Sequence, residues 1–333
     1  MGGPHPIAPG FPMEETQRER SRKDKGSTRE DGFQRVLPFY REGNQRAYLT
    51  EQDENTDRVN FLRPDYKMHT TLTTLIDRLD SSAVSGTGVI EWGSPVPSFG
   101  DLSTSKVATL GLNPSNREFL DEKGVELQGA VRRFHTLNSL GLSSWADADT
   151  RHLRLIIESC RLYFLGNPYD RWFKRLDFVI SGANASYYET AQGACHLDLI
   201  PYATARKWTE LSTRQRSSLL TIAADTLGLL LKDSPVQTLI LNGKSVVEHF
   251  QKIAGIRLDR EKMPTWSLPR VPKPDVTGYA YQGFIESMAG IALPRRILVL
   301  GYNHNLQSSF GVTTQVIKSI QKWISEAVNS AVA

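Results

Sequence analysis

The chain has 333 residues, with 40 Lys and Arg against 36 Asp and Glu for a formal net charge of +4, and its mean hydropathy is −0.36. This balance describes a soluble globular protein with one large core or two modest ones, and it permits a nucleic-acid partner without demanding one. No apolar run reaches the roughly 20 residues of a membrane helix, the amino terminus lacks a signal-peptide core, and Cys160 and Cys195 form neither a disulfide framework nor a C-x-x-C metal site, so a cytoplasmic protein without a membrane partner is expected.

Residues 1–32 are rich in Pro and Gly, then densely charged in both signs without apolar periodicity, and are expected to be a disordered tail. Residues 33–105 read as an amino-terminal arm and a helix packing on the core. Within MHTTLTTLIDRLDSS, Leu72, Leu75, Ile76 and Leu79 recur at helical spacing before a Ser/Gly-rich loop. The main domain is expected over 106–330. In it four β-branched apolar runs each end in a sharp turn: KVATLGLNPS (106–115), ACHLDLIPYAT (194–204), VQTLILNGKS (236–245) and RRILVLGYNHN (295–305). Between the second and third, RQRSSLLTIAADTLGLLLK reads as one helix with Leu219, Ile222, Ala223 and Leu227 on a single stripe. Strands alternating with helices predict a parallel α/β sheet, and ligands of such sheets bind beyond the carboxyl ends of the strands. The four turns therefore form one candidate site.

Gly243-Lys244-Ser245 invites a phosphate-loop reading, but that loop needs a glycine five residues earlier, where Thr238 stands inside the strand. An ordinary strand-to-helix turn is expected instead. His304 follows an apolar run and a turn glycine, the setting in which a histidine is presented at a strand end; a structural role competes with that reading. His196 and His135 are assigned structural roles.

Gly111-Leu112-Asn113-Pro114-Ser115 after the first strand, together with His304 after the last, resembles the uracil-DNA glycosylase superfamily. The family's first motif reads Gly-x-(Asp or Asn)-Pro-(Gly, Ser or Tyr), and its second begins with His. The likeness spans about 107–312. It implies an α/β fold of three αβα layers around a central, mainly parallel four-stranded sheet. It also implies a monomeric, monofunctional DNA glycosylase without metal or cofactor, which hydrolyses the N-glycosidic bond of a flipped base in DNA and leaves an abasic site.

Carried over by position, the resemblance makes Asn113 the residue that positions the attacking water and His304 the hydrogen-bond donor to the departing base. Gly111, Pro114 and Ser115 would shape the turn. An amide is not a strong base, so catalysis would rest on orientation and on the leaving group. Asp198 falls where the uracil enzymes carry a base-reading Asn. A carboxylate only accepts, and its natural pyrimidine partner is the exocyclic amine of cytosine; pairing with Arg206 or capping a turn is the alternative. Phe134 and Phe119 are candidates to stack on the base, with a place in the core as the alternative for each. Asn305-Leu306-Gln307-Ser308 replaces the family's Pro-Ser-Pro, which makes Leu306 or Gln307 the wedge, with Asn305, Ser308, Ser309 and Lys244 on the DNA backbone.

The stretch 116–190, with six aromatics in YFLGNPYDRWFKRLDF, and an insertion at 255–294 rich in Pro and aromatics suit a bulky base. A bacterial phage-defence branch of the superfamily, which removes glucosylated hydroxymethylcytosine from viral DNA, fits Asp198 and these additions together. Repair of uracil or damaged bases, and non-catalytic binding of modified DNA on the same fold, are the alternatives.

Overall fold

In the computed structural model the four apolar runs become four neighbouring parallel strands, β1 (Val107–Gly111), β2 (Ala194–Asp198), β3 (Thr238–Asn242) and the second half of β6 (Ile291–Tyr302). The sheet is larger than the sequence indicates. It has six strands in the order β2-β1-β3-β6-β5-β4, and β4 (Asp259–Leu268) and β5 (Val276–Met288) run antiparallel, so the sheet is mixed rather than four-stranded and parallel. The segment expected as an insertion, 255–294, is thus a sheet extension. The described residues are 64–166, 170–189, 191, 193–270, 272–307 and 311–332. The expected tail, the arm before residue 64, and Ser308 and Ser309 lie outside them. All described residues belong to one compact unit, Gln52–Ala333.

Strand residues alternate between two faces. On one, Ala108, Leu110, Leu239, Leu241 and Val299 meet helices α5 (Thr226–Lys232) and α6 (Lys244–Ala254). On the other, Ile240, Leu298, Leu300 and Tyr302 meet α3 (Asp170–Ile180) and α7 (Thr314–Val332). A third cluster forms around α1 (Pro64–Asp80), where Leu72, Leu75, Ile76 and Leu79 are all buried as their spacing predicts. Tyr202 Oη reaches across to the Leu75 carbonyl at 2.9 Å, fastening α1 to the loop after β2. Among the described residues no helix is long and apolar enough to cross a membrane.

The stretch expected as one helix at 214–232 is two. α4 (Thr213–Ile222) opens with a capping box in which Ser212 and Gln215 bond reciprocally, and it closes at Ala223. Just past the break, Arg78 on α1 holds both oxygens of Asp225 at 2.7 and 2.8 Å, a long-range tie beside the start of the second helix. The two halves then serve different cores: Leu219 and Ala223 join the α1 cluster, and Leu227 joins the sheet cluster.

Candidate functional site

The carboxyl ends of β1, β2, β3 and β6 open onto a pocket of about 560 Å³, lined by residues of all four turns. Its wall on the β1 side is the turn Gly111–Ser115. Ile200 N–H and Leu199 N–H donate to the carbonyls of Leu112 and Gly111, carrying the β1–β2 pairing past the strand ends. Two side-chain amides then tie this turn to the loop after β2: Asn113 Nδ2 donates to Thr204 Oγ1 at 2.9 Å, and Asn116 Nδ2 to the Ala205 carbonyl at 3.2 Å. Ser115 accepts from Arg117 N–H and so caps the short turn that follows.

Asn113 lines the pocket and is half-buried. Its nitrogen also donates to the Pro114 carbonyl at 3.0 Å, so both amide protons are committed to the protein. What the residue has left is Oδ1, an acceptor held in a fixed direction. Such a group orients a water and does not deprotonate it.

Asp198 ends β2 beside Gly111, its register partner on β1, and is buried. Two residues earlier, and therefore on the same face, His196 pairs with Thr109. His196 Nε2 stands 3.5 Å from Asp198 Oδ1. Asp198 thus has His196 beside its carboxylate, and among the described residues no ion pair joins it to Arg206. Gly111 makes this possible, since a methyl group there would overlap Asp198 Oδ1 and lie 2.9 Å from His196 Nε2. The rings of Trp172, Phe173 and Phe99 surround the imidazole at centroid distances of 5.3, 5.4 and 5.5 Å.

A second carboxyl group, Glu118, lines the same pocket and is 4% exposed. Burial pushes it up to about 8, with Asp198 adding to the rise. Arg133 NH1, 3.7 Å from Oε2, and the Tyr163 hydroxyl at 3.2 Å oppose the shift. Arg133 NH1 also donates to the Arg117 carbonyl, so its charge is shared and desolvation prevails. At neutral pH Glu118 is a neutral acid that can donate. In the unfolded chain it titrates near 4.5, so the folded state holds the extra proton between there and about 8, and stability falls as pH rises through that window. Glu118→Gln should remove that fall, melting with the wild type below the window and more stably above it, by on the order of a few kcal/mol. Parallel melting of the two proteins at every pH contradicts this.

Several residues expected at the site lie elsewhere. Phe134 and Phe119, the rings expected to stack on a base, are 1% exposed in the core and do not line the pocket; Phe134 stacks on Tyr163 at 5.3 Å. The aromatic residues that do line it are Trp172, Phe173, Phe99 and Trp208. Leu306 is fully buried in the same core, with its carbonyl accepting from Arg175, so it is not a free wedge. Gln307 lines the pocket, and its Oε1 accepts from Asn242 at 3.1 Å. Asn305 and Lys244 are exposed at the rim, Lys244 being 3.6 Å from Glu248.

His304 is 3% exposed and absent from the pocket lining. Its Nε2 donates to the Trp266 carbonyl of β4 at 2.6 Å. Burial depresses its pKa, while the bond to Trp266 acts the other way. The strand that captures it belongs to the sheet extension, which the sequence pattern conceals. His196, Glu118 and Trp172 went unassigned to the site; for His196 a signal existed, its two-residue spacing from Asp198 on one face of a strand. No protein-family model and no curated protein sequence matches the chain.

Proposed function

We propose that the protein is a monofunctional DNA glycosylase that accepts a flipped, cytosine-derived base in this pocket, hydrolyses its N-glycosidic bond and leaves an abasic site. The finer architecture proposed with it is the three-layer fold of the uracil-DNA glycosylase superfamily. One observation carries the reading: the Gly111–Ser115 turn and Asp198 meet at adjacent strand ends, so that the amide residue Asn113 and the carboxylate residue Asp198 line one cavity. N-glycosidic cleavage separates a sugar cation from a base anion, and a fixed acceptor beneath the sugar suits attack by water on that cation. The neutral acid of Glu118 supplies a donor, and Trp172 offers a half-buried ring for stacking.

About 560 Å³ sits within the roughly 300–1,000 Å³ usual for small-molecule sites, and a bare pyrimidine leaves part of it unfilled. This favours a bulky base such as glucosylated hydroxymethylcytosine, and with it a role in anti-phage defence. A second reading, binding of modified DNA without excision, is favoured by the commitment of His304 to Trp266. Incubation with DNA carrying cytosine, hydroxymethylcytosine, its glucosylated form or uracil, followed by assay of free base and alkali-labile sites, separates the two. Excision requires both products from at least one DNA; binding with neither product supports the second reading.

Arg206, Lys207 and Lys244 are all exposed and line the pocket. Cations so placed neutralise phosphates and release counterions. Replacing Arg206 and Lys207 together by alanine should weaken DNA binding across sequences and lower the slope of log affinity against log salt by about 2. An unchanged slope places the DNA backbone elsewhere.

A further inference from the structure

Thr109 and Tyr187, which the proposed reaction does not use, are buried behind His196. Thr109 Oγ1 lies 2.6 Å from His196 Nδ1 and 2.5 Å from Tyr187 Oη. Thr109 is 0% and His196 2% exposed, and no other partner of the Tyr187 hydroxyl is present among the described residues. Only one arrangement of protons satisfies all three groups. Tyr187 donates to Thr109, Thr109 donates to His196 Nδ1, and the imidazole proton therefore sits on Nε2. With the proton on Nδ1 instead, Thr109 would accept from the imidazole, and either the phenol proton or the threonine hydroxyl proton would then be a stranded buried donor, which folded proteins rarely contain. Burial raises the Tyr187 hydroxyl well above its ordinary value, so it retains its proton to donate.

The register of the sheet turns this into a reading head. His196 and Asp198 project from the same face of β2, Gly111 leaves space between them, and both line the pocket. We propose that the Tyr187–Thr109–His196 chain fixes an Nε2–H donor beside the Asp198 acceptor, and that the pair recognises a heterocycle edge bearing an acceptor next to a donor. Ring nitrogen beside exocyclic amine, as in cytosine, is one such edge. The imidazole donates to the ring nitrogen and the carboxylate accepts from the amine. Trp172, Phe173 and Phe99 hold the imidazole ring in place. His196 is then a specificity-determining residue, and Thr109 and Tyr187 are positioning residues acting through it. This rests on the reading of the pocket as a base site.

The test uses the full chain at pH 8 with small probes: cytosine and 2-aminopyridine, which carry the paired edge, against pyridine (acceptor only) and aniline (donor only). The paired probes should bind about tenfold tighter or better. Nitrogen-15 spectra should show His196 protonated at Nε2, and Thr109→Val should admit the other tautomer. His196→Phe should erase the preference for the paired edge, and His196→Gln, which keeps a donor, should restore part of it. Protonation at Nδ1 in the wild type, or equal binding of all four probes, overturns the proposal; both are read on unaltered protein and survive any folding defect of a variant. Edge preference without base release from any DNA refutes the excision reading alone. Base release without edge preference refutes this one alone.

Discussion

Asn113→Ala is expected to lower the rate of base release by roughly 10²-fold while DNA affinity stays near that of the wild type. In the proposed mechanism the residue contributes an oriented oxygen and no proton, so its loss would remove alignment of the water and leave the grip on DNA to other groups. The variant should remain folded. It forfeits a half-buried bond to Thr204, a cost of about 1 kcal/mol. Asn113→Asp makes the complementary test. It restores an acceptor but sacrifices both donors that clamp the amide to Pro114 and Thr204, so it should recover part of the rate and acquire an acid limb as the carboxylate is protonated. Single-turnover release combined with fluorescence anisotropy distinguishes these effects, and an Asn113→Ala variant that releases base at the wild-type rate removes the residue from the mechanism.

Gly111→Ala is the second substitution with a large expected effect. The added methyl would overlap Asp198 Oδ1 and crowd His196 Nε2 and Cε1, all in a buried corner between two hydrogen-bonded strands. The imidazole has little room to retreat, because aromatic rings enclose it. Overpacking of this kind costs about 1–3 kcal/mol, and here it also displaces the two groups that would face the base. A melting temperature lowered by several degrees, with base binding lost disproportionately, is the expected result. Wild-type melting with wild-type binding contradicts the close approach of the three residues. Gly111 therefore serves contact rather than turn geometry, for its backbone lies in ordinary strand conformation.

The parallel centre of the sheet was legible because each strand is a short apolar run stopped by a turn, and a strand buried on both faces needs no finer pattern. The antiparallel extension was not. β4 is a largely exposed edge whose first residues, Asp259, Arg260, Glu261 and Lys262, are all charged and exposed, as edge strands tend to be, and this erases the alternation. That omission had consequences at the site, since Trp266 on β4 captures His304. The break between α4 and α5 was concealed for a different reason. The apolar stripe passes through Ala223 to Leu227 without interruption, and the partner of Asp225 is Arg78, far away in sequence.

The positions of Asn113 and Asp198 at the pocket were legible, Asn113 from the turn that stops its strand and Asp198 from the family resemblance that singled it out on the second strand. Which aromatic ring faces the pocket was not, because Phe134, Phe119 and Trp172 are indistinguishable until tertiary packing separates the first two into the core. Leu306 follows the same logic, an apolar residue in a polar turn that burial claims. Glu118, the last residue of the short turn Asn116–Glu118, owes its raised pKa chiefly to burial.

The most direct measurement is mass spectrometry of intact DNA strands and of the small-molecule fraction after incubation with the wild-type protein. The pocket's chemistry is expected to convert a strand bearing a modified cytosine into one lighter by the base and heavier by one water, with free base released in equal amount. A strand that stays unchanged in mass while fully bound, across all the cytosine forms and uracil, contradicts excision.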